Sequence, residues 1–318
     1  MSEVVGADES RSKENGHGFD TSVAHIARIY NYWLGGKDNF AADRAIADMA
    51  LQADPDRAWS VRSNRAFLAR AVRFLAGQAG IRQFLDIGTG IPTADNTHEV
   101  AQRVAPEARV VYVDNDPIVL SHAKALLKSS RQGACAYIDA DLRNTREILA
   151  EAAGTLDLSR PVAVMLIAVM QVVLEDEEAS RIVTELLDAM PPGSYLALSH
   201  PANDLGGPQR NAVRARMNEL MRTPVTGRNQ EQVTRLFEGV DVLDPGVVVV
   251  SKWRPDTELE EKMPAFLWGG VGLKRWLPFY RALSSITMVT PWGTSRDASV
   301  SRAASSMWMR GLSGGVCG

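Results

Sequence analysis

The chain is expected to fold as an α/β three-layer sandwich, a mostly parallel seven-stranded sheet between helices, with an N-terminal helical cap. Three observations predict it. Short apolar runs alternate with helix-length segments through the middle of the chain, the pattern of parallel strands joined by crossover helices. The run Phe84-Leu85-Asp86-Ile87 breaks into Gly88-Thr89-Gly90. The run Val110-Val111-Tyr112-Val113 ends in Asp114. A strand, a tight glycine turn, a helix and a second strand tipped by an acid form a nucleotide-binding half-unit.

The cap is read first. A helix over 22–34 takes Thr21 or Ser22 as its N-cap and stops at Gly35-Gly36. Asn39 caps a second helix to about residue 51, and Pro55 opens a third to about residue 78. Trp59, Phe67, Val72 and Leu75 are the candidate buried face of that third helix. After the first two strands, 134–138 reads as a third and the continuous apolar run 162–167 as a buried fourth. A helix over 175–190 ends at Pro191-Pro192-Gly193, and 195–200 is the fifth strand. Helices follow over about 211–222 and 231–237. A bent sixth strand over 240–250 is interrupted by Asp244-Pro245-Gly246, and 266–273 is the seventh.

The ligand can be narrowed from the turn. A dinucleotide site prefers Gly-x-Gly-x-x-Gly, whose third glycine allows close packing around a pyrophosphate. Here that position is Thr93, after Pro92. Asp86 stands just before the turn, where a carboxylate repels pyrophosphate and suits an ammonium group. Asp114 ends the next strand, where it can accept both hydroxyls of a ribose. S-adenosylmethionine combines a ribose, an adenine, a sulfonium and an amino-acid tail, with no phosphate. After the third strand, Asp141 is placed to accept from the adenine amino group, with the Leu142 backbone at the ring edge. Helix capping is the competing role for Asp139 and Asp141.

The segments Asp20-Thr21-Ser22, Ala27-Arg28-Ile29-Tyr30-Asn31-Tyr32, Leu34-Gly35-Gly36-Lys37-Asp38-Asn39, 84–92 and Val111-Tyr112-Val113-Asp114-Asn115-Asp116-Pro117 carry a resemblance. Over about residues 20–273 the chain resembles the actinobacterial S-adenosylmethionine-dependent methyltransferase family once labelled a domain of unknown function. The resemblance implies a class I methyltransferase, Rossmann-like fold and that cofactor, and no particular acceptor. The candidate cofactor contacts are Asp86, Gly88, Thr89, Gly90, Asp114, Asn115, Asp141, Leu142 and Ala168. The resemblance also implies that the 30–39 stretch folds over the pocket, with Tyr30 closing one wall and Lys37 or Arg28 meeting the methionine carboxylate. The competing reading makes Tyr30, Tyr32 and Trp33 core aromatics and Lys37 a solvated turn. Asn64 and Arg65 are weaker candidates for the pocket. Family members often carry a histidine where this chain has Gln171.

Transfer of a methyl group from a sulfonium needs alignment above all, with a base to take the proton of an oxygen or nitrogen nucleophile. The ends of the fourth and fifth strands should border the methyl. His200, at the end of the fifth, is the candidate base, against a structural role satisfied by the backbone. His25 is read as a capping or packing residue.

Composition limits the function classes. The chain has 318 residues, 45% hydrophobic, with a formal net charge of −3. Its pI is about 6.0, so no basic field points to nucleic acid. Cys135 and Cys317 form no disulfide framework, which suits a reducing cytoplasm. No metal-ligand spacing stands out, and no apolar run is long enough to span a membrane. The expected organisation is a disordered leader over 1–19, the cap over 20–80, the cofactor-binding domain over 81–274 and an atypical, poorly ordered tail over 275–318. The expected activity is S-adenosylmethionine-dependent methyl transfer to a small-molecule acceptor. A non-catalytic S-adenosylmethionine-binding protein and a NAD-dependent oxidoreductase are the alternatives.

Overall fold

The computed structural model describes residues 20–126 and 129–275. The leader over 1–19 and the tail beyond Arg275 lie outside them. Three helices come first: α1 (Ile26–Trp33), α2 (Ala41–Ala53) and α3 (Arg57–Gly77). The alternating region follows as β1 (Gln83–Ile87), α4 (Thr97–Val104), β2 (Arg109–Asp114), α5 (Pro117–Leu126), β3 (Ala134–Asp139), α6 (Thr145–Ala152) and β4 (Ala163–Ile167). It continues with α7 (Asp176–Asp188), β5 (Tyr195–Pro201), α8 (Pro208–Leu220), α9 (Gln230–Arg235), β6 (Asp241–Val242), β7 (Val248–Val249), α10 (Glu258–Lys262) and β8 (Leu267–Leu273).

The strand order is β3-β2-β1-β4-β5-β8-β6, with β7 also on β8. The first five strands pair in parallel, and β8 runs antiparallel to β5. The expected bent sixth strand is therefore two short strands, because a turn closed by Gly246 N–H on the Leu243 carbonyl at 2.8 Å splits it. Eight strands result where seven were expected.

Alternation along each strand divides the core. Leu85, Ile87, Val111 and Val113 face the layer of α6, α7 and α9. Phe84, Val110, Tyr112 and Met165 face the layer that holds Phe67, Val72 and Leu75 of α3. Trp59 is 48% exposed rather than part of that face. It lies in the N-terminal half of α3, which belongs to the cap; Val61 packs there with Ile29, Trp33, Ile46 and Met217. One helix thus serves two cores, and α8 joins α1 and α2 in the upper one.

The helix starts differ from the sequence reading in detail. His25 is the N-cap of α1 and Phe40 that of α2. Asp43 explains both. It is fully buried and accepts from the backbone N–H of His25 at 2.9 Å and of Phe40 at 2.8 Å. Its Oδ1 also accepts from Arg28 Nε at 3.1 Å. Arg28, also buried, donates its remaining reach to the Val23 carbonyl. The expected contact between Arg28 and a ligand is therefore not made: its charge is consumed inside the cap.

Removing one member of a buried pair leaves the other charge uncompensated. Asp43→Ala should lower stability by about 3–5 kcal/mol in chemical denaturation. Asp43→Asn, which keeps one acceptor oxygen, should cost less.

Candidate functional site

A cavity of about 320 Å³ lies between the cap and the C-terminal ends of β1, β2, β3 and β4. That is where open α/β sheets bind ligands. Its floor is the glycine turn. Gly88 N–H and Thr89 N–H both bond the Val113 carbonyl, at 2.8 and 3.3 Å, so the turn is tied to β2. Gly88 (φ +73°) and Gly90 (φ +65°) hold left-handed backbone that L side chains rarely adopt. A Cβ on Gly88 would sit 2.0 Å from Val169 Cγ2, so the turn also needs glycine to pass the loop after β4.

Two buried acids face this floor. Asp114 Oδ2 accepts from Gly90 N–H at 2.8 Å and Oδ1 from Asp116 N–H at 3.0 Å. Burial raises its carboxyl above the usual range, and the two N–H bonds oppose that. Asp86 accepts from Thr97 Oγ1 at 2.6 Å. Burial pushes its carboxyl up to about 6. Asp86 stands in register with Tyr112 on one side and Met165 on the other, and Tyr112 with Tyr137, so it sits within a row of large side chains that exclude water.

The opposite wall comes from the cap. Tyr30 and Asn64 border the cavity. Asn64 Nδ2 donates to Tyr30 Oη at 3.0 Å, and its Oδ1 accepts from Ser199 Oγ at 2.6 Å. Tyr30 in turn donates to the Val61 carbonyl at 3.2 Å. Arg65, one residue on, also borders the cavity and donates through Nη2 to the Ala94 and Asp95 carbonyls at 3.1 and 3.0 Å. His25 Nδ1 lies 2.9 Å from Asp116 Oδ2. Its other neighbour, Ala27 N, is 3.4 Å from the same nitrogen; one Nδ1 cannot serve both, and the shorter contact prevails. Burial works to raise the Asp116 carboxyl, but the His25 bond and charge leave it below the usual range.

The side walls are the loops after β3 and β4. Asp141 Oδ1 accepts from Arg143 N–H at 2.9 Å. Asn115 Nδ2 reaches Asp141 Oδ2 at 3.4 Å. Leu142 and Ala168 border the cavity beside them. Ala168 has φ +52°, a strained conformation for a residue with a Cβ, of the kind that gathers at functional sites.

The structure thus brings Tyr30, Asp86, Gly88, Thr89, Gly90, Asp114, Asn115, Asp141, Leu142 and Ala168 to one cavity. Arg28, Lys37 and His200 are not among the residues that border it. Lys37 is exposed in the loop between α1 and α2. His200 is fully buried, with Nδ1 2.9 Å from the Pro201 carbonyl and Nε2 2.8 Å from Arg228 Nη1. Burial, with the Arg228 charge beside it, pushes its imidazole down to about 3. A neutral histidine locked to an arginine is a structural part, so the expected catalytic base is displaced from that role. The sequence makes Arg65 only a weaker candidate and does not single out Thr97 or Arg143. The signal for Arg65 was the residue beside it, Asn64. Among the described residues no cluster of histidine, cysteine or acid could hold a metal ion, and no helix is long and apolar enough to cross a membrane.

Comparison with known proteins agrees with this geometry. A family model described as S-adenosyl methyltransferase matches residues 12–275. The structure of a DUF574 family protein from Streptomyces avermitilis is 44% identical, covering 80% of this chain and 99% of that one, with a TM-score of 0.77. The structure of a protein from Thermobifida fusca, described there as a methyltransferase by inference, is 41% identical, covering 80% of this chain and 96% of that one, with a TM-score of 0.73. No curated protein matches the chain. With a family match over most of its length, and solved relatives from two actinobacteria, the chain belongs to the S-adenosyl methyltransferase family and is an S-adenosylmethionine-dependent methyltransferase with a Rossmann-like, mostly parallel sheet.

Proposed function

We propose that the cavity is the S-adenosylmethionine site and that the enzyme transfers the methyl group to a small-molecule acceptor. The observation that carries the reading is the pair Asp86 and Asp114, one before the glycine turn and one at the tip of the next strand, on a single cavity.

The residues present suit the cofactor. Each oxygen of Asp114 accepts one backbone N–H and keeps lone-pair capacity for a ribose hydroxyl. Asp86 meets the ammonium of the amino-acid tail. Arg65, rather than Lys37 or Arg28, meets the carboxylate: its Nη2 is held by two carbonyls, and a guanidinium has five N–H donors in all. Asp141 and the Leu142 backbone border the adenine, with Asn115 beside them. Tyr30 closes the wall beneath α1.

When bound, the cofactor supplies a methyl group that is already electrophilic, so the chain's task is alignment and exclusion of water. Ile167, Val169 and Val172 give the apolar surface for this next to the strained Ala168. His25 is the histidine at the cavity, and Asp116 holds its Nδ1 at 2.9 Å; the rate rests chiefly on alignment of the reacting groups. The small-molecule assignment rests on the cavity's place beneath α1 and α3 and on the net charge of −3, which offers nucleic acid no basic footprint. The half-buried thiol of Cys135, on edge strand β3, suits a reducing compartment, and the reading puts the enzyme in the cytoplasm.

Asp114→Ala should weaken S-adenosylmethionine binding by about 1.5–3 kcal/mol, the scale of hydrogen bonds to a charged group. Calorimetric titration checks it, and unchanged affinity in a folded variant would refute the ribose role. Affinity should also fall with acidity. The Asp86 carboxyl titrates at about 6 in the free protein, and only its ionised form pairs with an ammonium. Binding therefore releases a proton near that pH, and affinity should drop about tenfold from pH 7 to pH 5, one unit below the midpoint. In Asp86→Asn the affinity should be lower and flat over that range; a parent profile flat over the same range would remove Asp86 from the site.

A further inference from the structure

Of the residues with a buried side-chain polar atom that lacks a partner among the described residues, Gln171 alone borders the cavity, and the atom is its Oε1. Gln171 is only 6% exposed. A buried carbonyl left unpaired loses its water and regains nothing. Such groups are rare enough in native folds that each calls for a reason.

A loose loop is not the reason. Gln171 lies in the single 3₁₀ turn Met170–Val172, and its own backbone carbonyl accepts from Thr226 N–H at 2.8 Å. The turn is clamped by Arg228, which is 1% exposed. Arg228 donates to the Met170 carbonyl at 3.2 Å, the Val173 carbonyl at 2.9 Å and Asp176 Oδ1 at 2.7 Å. Neutral His200 accepts from the same guanidinium at 2.8 Å. The chain fixes the backbone on both sides of Gln171 and leaves the side-chain carbonyl unmet.

The charged groups around the cavity are paired with one another or, as with Arg65, Asp86 and Asp114, assigned to the cofactor. Arg143 pairs with Asp141 at 3.2 Å and His25 with Asp116 at 2.9 Å; Asp86 and Asp114 accept the bonds described above. The neutral residues that share the cavity with Gln171 include Val172, Thr223, Tyr30 and Asn64, and Arg143, which reaches the Val172 carbonyl at 2.6 Å, is already paired. An ammonium ligand would call for a free carboxylate here and a carboxylate ligand for a free cation. An amide carbonyl calls for a neutral O–H or N–H.

We propose that Gln171 is the acceptor-binding anchor of the methyl-transfer site, its side-chain carbonyl receiving the O–H or N–H of an uncharged methyl acceptor. The proposal rests on the cavity being the S-adenosylmethionine site. Gln171 orients the acceptor and does not take its proton, since an amide oxygen is far too weak a base.

The test is Gln171→Leu, close in volume and without the polar atoms. It should melt no lower than the parent, because no structural hydrogen bond is lost, and should bind S-adenosylhomocysteine within about twofold of the parent. Phenol and benzamide should bind the S-adenosylhomocysteine-loaded parent more tightly than benzoate or benzylammonium, as read by ligand-observed NMR. Both neutral probes should lose at least about fivefold in affinity in Gln171→Leu. A variant that melts clearly lower would show that Oε1 serves the fold and would overturn the proposal. So would equal affinity of parent and variant for the neutral probes, or a parent that prefers the charged probes or binds none. A parent that fails to take up S-adenosylhomocysteine would instead sink the cofactor-site reading, and the proposal with it.

Discussion

The site depends on how its buried carboxylates are satisfied. Asp114, Asp116 and Asp43 are all withdrawn from water, and a buried charge survives only when hydrogen bonds replace its hydration. Here each acid is satisfied by the next element of the structure. Asp114 takes the N–H of Gly90 and of Asp116; Asp116 takes the N–H of Ile118 and the imidazole of His25; Asp43 takes the N–H of His25 and the guanidinium of Arg28. The result is a continuous polar chain from the glycine turn, through the tip of β2, into the first helix of the cap. The chain fixes where the cap sits over the cavity, because α1 begins at the residue that links Asp116 to Asp43. A ligand that engages Asp114 therefore acts on a group already coupled to the cap by three successive hydrogen-bonded contacts.

A second buried charge does the same for the other wall. Arg228 lies far along the chain from the 170–176 loop, yet it ties that loop to β5 through His200. The low proton affinity of His200 follows from this placement: beside a guanidinium and out of water, its imidazole must stay neutral to accept the bond. The two clamps leave the strained Ala168 and the open amide of Gln171 between them. Strain and unmet polarity persist only where the surroundings over-determine them, and here the surroundings are two networks of charge-assisted hydrogen bonds.

This division explains what could be read from the chain. The parallel sheet, the glycine turn and the acids at Asp86 and Asp114 are local in sequence: each is set by a strand, its end and a few residues after it. The same holds for Asp141 and Leu142. Positions whose meaning comes from distant partners were not legible. Arg28 and Lys37 both looked available for a carboxylate, and only Asp43, 15 residues on, shows that Arg28 is spent. His200 looked like a strand-end base until Arg228 was placed against it. Trp59 fitted the helical period of α3 but fell on the half of that helix that leaves the sheet for the cap. Arg65 is only a weaker candidate in the sequence because a helix surface says nothing about which loop lies across it; the carbonyls of Ala94 and Asp95 decide that.

An acceptor anchor that is a neutral amide, as proposed for Gln171, is consistent with the chemistry. A sulfonium methyl needs no activation, so most of the rate can come from holding the nucleophile in line with it. A charged base in the same space would have to be desolvated, and, unless paired, it would lower the electrophile's local advantage or bind the acceptor in the wrong protonation state. A neutral amide avoids both costs. It offers one directional bond, held by a turn that a buried arginine keeps from relaxing. On the proposed reading it also makes the acceptor's own acidity the variable that decides which molecules are methylated, since Gln171 orients the O–H or N–H without taking its proton, which leaves to water as the product departs.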